Sequence, residues 1–267
     1  MIDIHCHMLP GIDDGARDMD TALEMARVAV ADGITHTICT PHIYPGLYHN
    51  TAAGIREATA ALRDALRRAD IPLEISHGAD IQIVPELVSG LQDGTLPTLH
   101  GSRYFLFEPP HHIAPPGMLE LVHSAVAAGF VPVITHPERL TYVQQHYATF
   151  AEAAKLGAWI QLTAASLLGV WGPRVKHMTE RFLRDGIAHV VASDAHNLSN
   201  RSPRLGTVRA LLVEIVGEDE TELLLHARPR AILDDRAPAS VPAPRPAEAP
   251  APAPRRGGWR KFFTRPH

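Results

Sequence analysis

The chain has 267 residues, 45% hydrophobic and 20% charged, which is globular material with enough apolar side chains for one large domain or two small ones. Its formal net charge of −4 argues against nucleic acid as the main partner, because a phosphate backbone calls for a basic footprint. There is no run of 18 apolar residues and no basic-then-apolar leader, so the expected location is cytoplasmic; Cys6 and Cys39, the only cysteines, offer no disulfide framework.

In chain order, IDIHC at 2–6 reads as a strand, and MDTALEMARVAVADG at 19–33 as a helix with Asp18 as N-cap and Gly33 as its stop. ITHTICT at 34–40 is the next strand and 51–70 the next helix. PLEISHGADI, RYFLFE, VPVITH, AWIQLT and AHVVAS follow as strands, with a short helix near 84–94 before RYFLFE. Helical stretches lie at 119–130, 149–157, 176–186 and 202–217. Seven strands alternating with helices imply parallel βα units, and one closed barrel over residues 1–235 accounts for the count better than two domains.

After residue 235 the composition changes. Fourteen of the 18 residues from Ala237 to Pro254 are alanine or proline, so 236–267 is expected to be a disordered tail. Its last 13 residues carry five Arg or Lys among Trp259, Phe262 and Phe263, a pattern suited to weak contact with an anionic membrane surface or an acidic partner.

The chemistry sits where the strands end. The chain holds 17 histidines, and histidine is the commonest metal-ligating side chain. His5 and His7 close the first strand and His42 follows the second. Asp80, Glu108 and His136 close the next three, and Asp194 and His196 close the last. AWIQLT is the exception. In a βα barrel these ends converge on one face, and residues at i and i+2 share a side of an extended strand. A lone strand-end histidine is most often structural, and HxH or DxH carries little weight alone. Repetition at successive strand ends is what points to a nitrogen/oxygen site for zinc, manganese or iron. The remaining histidines, among them His36, His77, His100, His123 and His177, read as structural, while His111 and His112 follow Glu108 in a loop able to line the site.

His5-x-His7, the TPH at 40–42, Glu108, the HPER at 136–139 and the SDAHN at 193–197 resemble the polymerase-and-histidinol-phosphatase (PHP) superfamily. The opening MIDIHCHMLPGIDDGA, with HPER and SDAHNxxNR, is similar more narrowly to the PHP-type bacterial tyrosine phosphatases found with capsule and exopolysaccharide genes. The resemblance covers residues 1 to about 235, ending in RPRAIL. It implies a single-domain α/β fold, a distorted (β/α)7 TIM-like barrel, holding three divalent ions, manganese first, with iron, cobalt or zinc as alternatives. One ion takes His5, His7, Asp80 and Asp194; a second shares Asp80 and adds Glu108 and His136; a third takes Asp14, His42 and His196. Arg139 and Arg201 are implied to bind phosphate. Asp13 and Asp3 have weaker cases, Asp3 as an acceptor for a histidine N–H. The family usually has glutamate where Asp80 stands, so this side chain is roughly 1.5 Å short.

The implied activity is a protein-tyrosine phosphatase acting through metal-activated hydroxide, on a bacterial tyrosine kinase that controls polysaccharide synthesis. Its alternatives are a small-molecule phosphatase of the same fold, resembling histidinol phosphatase, and a non-catalytic module with a degraded metal site. A cysteine-dependent phosphatase needs arginine six residues after its nucleophile, but Ile12 and Pro45 stand there. Cys6 reads as a small buried residue. No GxxxxGK[ST], GxGxxG or GxSxG motif occurs, which removes nucleotide-loop and serine-hydrolase readings.

Overall fold

The computed structural model describes residues 1–247. Its elements run β1 Ile2–Cys6, α1 Met19–Ala31, β2 His36–Cys39, β3 His42–Tyr44, β4 Tyr48–His49, α2 Ala52–Arg68, β5 Glu74–His77, β6 Asp80–Gln82, α3 Leu87–Asp93 and β7 Tyr104–Glu108. They continue with α4 Met118–Ala127, β8 Val131–Thr135, α5 Tyr147–Lys155, β9 Trp159–Thr163, α6 Ala164–Leu167, α7 Pro173–Arg184, β10 Val190–Ala192, α8 Arg209–Glu222 and α9 Arg228–Leu233. Asp18 caps α1, its carboxylate accepting from Thr21 N–H at 2.8 Å.

The expected second strand ends at Cys39 and a further short strand, β3, follows it, while the expected third strand is broken in two. Pro41, which has no N–H to give a ladder, separates β2 from β3, and Gly78–Ala79 separates β5 from β6. One sheet therefore reads β1-β2-β5 and the other β10-β9-β8-β7-β6-β3-β4, parallel except for the β3–β4 hairpin. Chain continuity joins the two, because β2 runs into β3 and β5 into β6. The ends meet where Cys6 pairs with Ala195 and His7 N–H donates to Ala195 O at 2.8 Å. Seven strand positions alternate with helices around this path, an arrangement consistent with a distorted barrel.

Strands β1, β7, β8 and β9 are buried along their whole length, as parallel strands covered on both faces must be. The larger apolar cluster joins strand residues such as Phe105, Phe107, Ile134 and Leu162 to the helices. A second gathers Ile4, Tyr104, Leu106, Val133 and Trp159, and Ala231 and Ile232 of α9 close it.

Two expectations change at the C-terminal end. The helix read at 202–217 begins only at Arg209 and breaks at Gly217, where φ is 82°, and helical residues then continue to Leu233. The tail expected to be disordered from residue 236 is instead held against the fold as far as Ala247. The buried Arg228 guanidinium donates to Pro242 O at 3.0 Å and to Glu220 at 2.6 Å, and Ala247 N–H donates to Arg184 O at 2.9 Å. The tail crosses so close to Gly186 that a Cβ there would stand 2.2 Å from Pro246 N. Composition shows that this segment cannot make a core of its own, but not that a buried arginine waits for its carbonyls. The basic-aromatic residues 255–267 lie outside the described residues. No helix among the described residues is long and apolar enough to cross a membrane.

Candidate metal centre

The first strand sets the geometry. His5 and His7 lie at i and i+2 and turn their rings to the same place. His5 Nδ1–H donates to Gln161 Oε1 at 2.9 Å, and His7 Nδ1–H donates to the Asp13 carboxylate at 2.7 Å. With Nδ1 engaged in each ring, Nε2 is the nitrogen left to meet a cation, and the two Nε2 atoms stand 3.1 Å apart. Facing lone pairs repel unless a proton or a cation lies between them. Two nitrogens each about 2.1 Å from one ion stand about 3.0 Å apart at an octahedral angle and about 3.4 Å apart at a tetrahedral one, and the 3.1 Å found lies between.

Asp13 is the organiser of this corner. Besides the His7 ring it accepts from the N–H groups of Gly15, at 2.9 Å, and His42, at 3.1 Å. Burial opposes its charge, yet His7 and the Gly15 N–H hold its pKa below the usual carboxylate value. The loop also passes so near β1 that a Cβ on Gly15 would stand 2.0 Å from His7 O, so glycine is required there.

The acids and remaining histidines form a continuous row. Asp194 lies 3.3 Å from His5, His5 3.5 Å from Asp80, Asp80 3.6 Å from His42, and His42 3.4 Å from Glu108. Asp80 is the first residue of β6, not the last of a strand, and pairs in register with His42. Despite its shorter arm, its Oδ2 also reaches within 3.9 Å of His136. His196 lies 3.3 Å from Asp14 and its ring centroid 3.9 Å from that of His7. His136 and Asp194 take φ of 34° and 48°, left-handed backbone that costs a non-glycine residue about 1 kcal/mol and is held only where the surroundings impose it.

Buried polar atoms ordinarily find partners. Here both Asp80 oxygens, Glu108 Oε2, His42 Nδ1, His136 Nδ1 and His196 Nε2 have no hydrogen-bond partner. Burial and the Asp80 charge push Glu108 up to about 7. Burial opposes the ionisation of Asp80 as well, but His5 beside it holds it well below the carboxylate range. Such bare, crowded, charged atoms fit divalent cations. Ligand atoms within 4.8 Å of one another come from His7, Asp14, His42 and His196; from His5, His7 and Asp80; from Glu108, His111 and His136; and from His42, Asp80 and Glu108. The donors are nitrogen and carboxylate oxygen, which suit zinc, manganese or iron. Burial drives the Cys39 thiol up to about 12 and Cys6 well above its ordinary value, so neither offers a thiolate.

Two guanidinium groups border the row at its Asp194 end. Arg139 and Arg201 both pair with Asp194 Oδ2, Arg201 at 2.9 Å, and Arg139 lies over the Trp171 ring at 4.4 Å. Arg201 Nε is buried without a partner. The turn carrying His136 and Arg139 is pinned by Glu138, whose Oε1 accepts from Thr163 N–H at 2.9 Å and from the Ser166 hydroxyl at 2.7 Å.

Every residue singled out in the sequence therefore falls in one place: His5, His7, Asp14, His42, Asp80, Glu108, His136, Asp194, His196, Arg139 and Arg201. The strand AWIQLT remains the exception, since it ends on no candidate ligand, but its mid-strand Gln161 orients His5. Asp3 accepts from a histidine N–H, that of the His5 backbone at 3.4 Å, and from Ser193 N–H at 3.0 Å, so it supports the ligand strand, while the acceptor for the His7 ring is Asp13. His111, of the loop able to line the site, stands with its ring centroid 5.3 Å from that of His136. Glu138, Gln161 and Trp171 carried no signal beyond their closeness to HPER or to a strand end.

Parallel strands ending in a clustered nitrogen/oxygen donor set, with arginines beside it, define an α/β protein with a candidate metal centre. The chain belongs to the capsular polysaccharide synthesis CpsB/CapC family, whose model matches residues 1–234. It is 39% identical to the tyrosine-protein phosphatase YwqE of Bacillus subtilis (strain 168), over 76% of this chain and 80% of that one. It is 27% identical to the tyrosine-protein phosphatase CpsB of Streptococcus pneumoniae, over 88% and 99%. One of the crystal structures of B. subtilis YwqE and S. pneumoniae CpsB, described as unique metal-dependent tyrosine phosphatases, matches with a TM-score of 0.87 at 34% identity, covering 93% of this chain and 100% of the other.

Proposed function

We propose that the chain is a metal-dependent phosphatase that hydrolyses phosphotyrosine in protein, with a bacterial tyrosine kinase of capsule or exopolysaccharide synthesis as its substrate. The observation that carries this reading is the row from Asp194 to Glu108, bare buried donors at its centre and two guanidinium groups at one end. Three ions are assigned: one to His5, His7, Asp80 and Asp194, one to Asp80, Glu108 and His136, and one to Asp14, His42 and His196, manganese being the first candidate. Divalent ions bound there lower the pKa of a coordinated water toward neutrality and neutralise phosphoryl oxygens.

The chain's own residues supply the rest. Gln161 and Asp13 hold the His5 and His7 lone pairs aimed inward. Arg139 and Arg201 offer N–H groups to the phosphoryl oxygens, and the partnerless Arg201 Nε is a donor ready for one of them. Neither cysteine takes part. We place the reaction in the cytoplasm, a reading supported by two free, buried cysteines. Contact of the basic tail with a membrane surface is proposed on composition alone.

The test is hydrolysis of a phosphotyrosine peptide by protein supplied with Mn, Co or Fe, set beside histidinol phosphate and a nucleotide panel. Preference for the peptide is the expected result. Turnover of the small phosphates alone points to the small-molecule alternative, and no turnover with fewer than two ions bound per chain points to a binding module.

A further inference from the structure

The row of donors has two ends, and they differ. Both arginines stand at the Asp194 end, whereas at the Glu108 end a cavity of about 370 Å³ opens. A phosphate lying along the row finds room for its ester substituent in the cavity beside Glu108. The cavity is lined by the loop Pro109–Ile113 together with Tyr44 of β3 and Gln82 of β6.

The loop is fixed before any ligand arrives. Tyr142 O–H donates to Pro110 O at 3.0 Å, and Thr141 donates to His111 O through its N–H at 3.0 Å and its hydroxyl at 3.2 Å. The prolines add rigid backbone. Proline rings, an imidazole face, a phenol ring and the Ile113 side chain give flat and apolar surfaces, and Ile113 is 72% exposed at the mouth with nothing packed on it. A benzene-sized ring occupies about 150 Å³ in a protein cavity, so the space takes an aromatic ring and part of the chain bearing it. Glu108 is the one carboxyl group among the lining residues. An aryl ester needs little more, because phenolate is a far better leaving group, with a conjugate acid of pKa about 10, than an alkoxide nearer the 15.7 of water.

Resting on the phosphatase reading above, we propose that this cavity is an aryl subsite: it receives the tyrosine ring of the substrate against Tyr44 and the Pro109–Ile113 loop, and so selects aryl over alkyl phosphoesters.

The experiment titrates the metal-loaded full chain with two non-hydrolysable probes, phenylphosphonate and methylphosphonate, in the wild type, Tyr44→Ala and Ile113→Ser. The exposed Ile113 makes the second variant safe for folding. The wild type should bind phenylphosphonate at least tenfold more tightly than methylphosphonate. Each variant should bring that ratio to about threefold or less with methylphosphonate affinity unchanged. A wild-type ratio near one, variants that leave the ratio intact, or an equal loss for both probes would overturn the subsite. Because binding is read without turnover, failure of the subsite is distinguishable from failure of the phosphatase reading, which shows as absent phosphotyrosine hydrolysis in the wild type.

Discussion

Arg201 and Asp194 meet at the outer edge of the donor row: the guanidinium donates to Asp194 Oδ2 across 2.9 Å, while Oδ1 of the same carboxylate faces His5 and His7 at 3.3 and 3.5 Å. One side chain thus links the candidate metal-ligating histidines to the arginine proposed to hold phosphate. Arg201 is itself held by its loop, its carbonyl accepting from the N–H groups of His196 and Asn197 at 2.8 and 3.1 Å. Arg201→Ala should lower kcat/KM on a phosphotyrosine peptide about a hundredfold while leaving bound metal unchanged, since a charge-assisted donor to the transferring group is worth roughly 3 kcal/mol. Elemental analysis beside steady-state kinetics checks this; lost metal would make Arg201 a structural residue.

Asp80 stands where the resemblance implies glutamate. Its Oδ2 nonetheless lies within 3.9 Å of His5, His42 and His136. Asp80→Glu should keep or raise activity, and Asp80→Ala should lose most of it together with metal. Unchanged turnover in the alanine variant removes Asp80 from the centre.

Asp13 and Gln161 act through the histidines they orient. Asp13→Asn and Gln161→Leu should each weaken metal affinity by about 10 to 100-fold, as is usual when the partner of a ligating histidine is lost. Calorimetric metal titration reads this directly, and affinity equal to the wild type in both variants refutes the orienting role.

Away from the site, His189 Nδ1 accepts from Ile160 N–H at 3.1 Å. Burial, then the nearby Arg228 charge, holds this imidazole down at about 3, against 6.5 for the free side chain. Below pH 6.5 the unfolded chain binds a proton that the folded one refuses, so stability falls as pH drops from 6.5 toward 3 and is unaffected by this group above 6.5. The loss is about 1 kcal/mol per pH unit. In urea unfolding followed from pH 7 to 5, His189→Gln should lose correspondingly less stability than the wild type. Parallel profiles for the two proteins would contradict this.

Much of the site was legible because strand ends are visible in sequence. Asp194 and His196 follow VVAS as a short β-branched run gives out, and in parallel βα units such ends gather on one face. What stayed hidden depends on contacts between distant strands. Gln161 sits in the middle of a buried strand, 156 residues from the His5 ring it holds, and no periodicity marks it. Pro41 and Gly78 stand where β2 and β5 stop, but that β3 and β6 follow as further strands is decided by pairing across the sheet. The ordering of residues 236–247 was invisible for a similar reason, since it rests on Arg228, buried between Glu220 and a carbonyl of the tail.

The most direct test titrates manganese back into chelator-stripped protein while hydrolysis of a phosphotyrosine peptide is followed. Activity should be absent without metal, rise beyond the first equivalent as the row from Asp194 to Glu108 fills, and resist vanadate, which traps cysteine enzymes. Full turnover in excess chelator, or a plateau at a single bound ion, would contradict a clustered metal centre built on His5, His7 and Asp80.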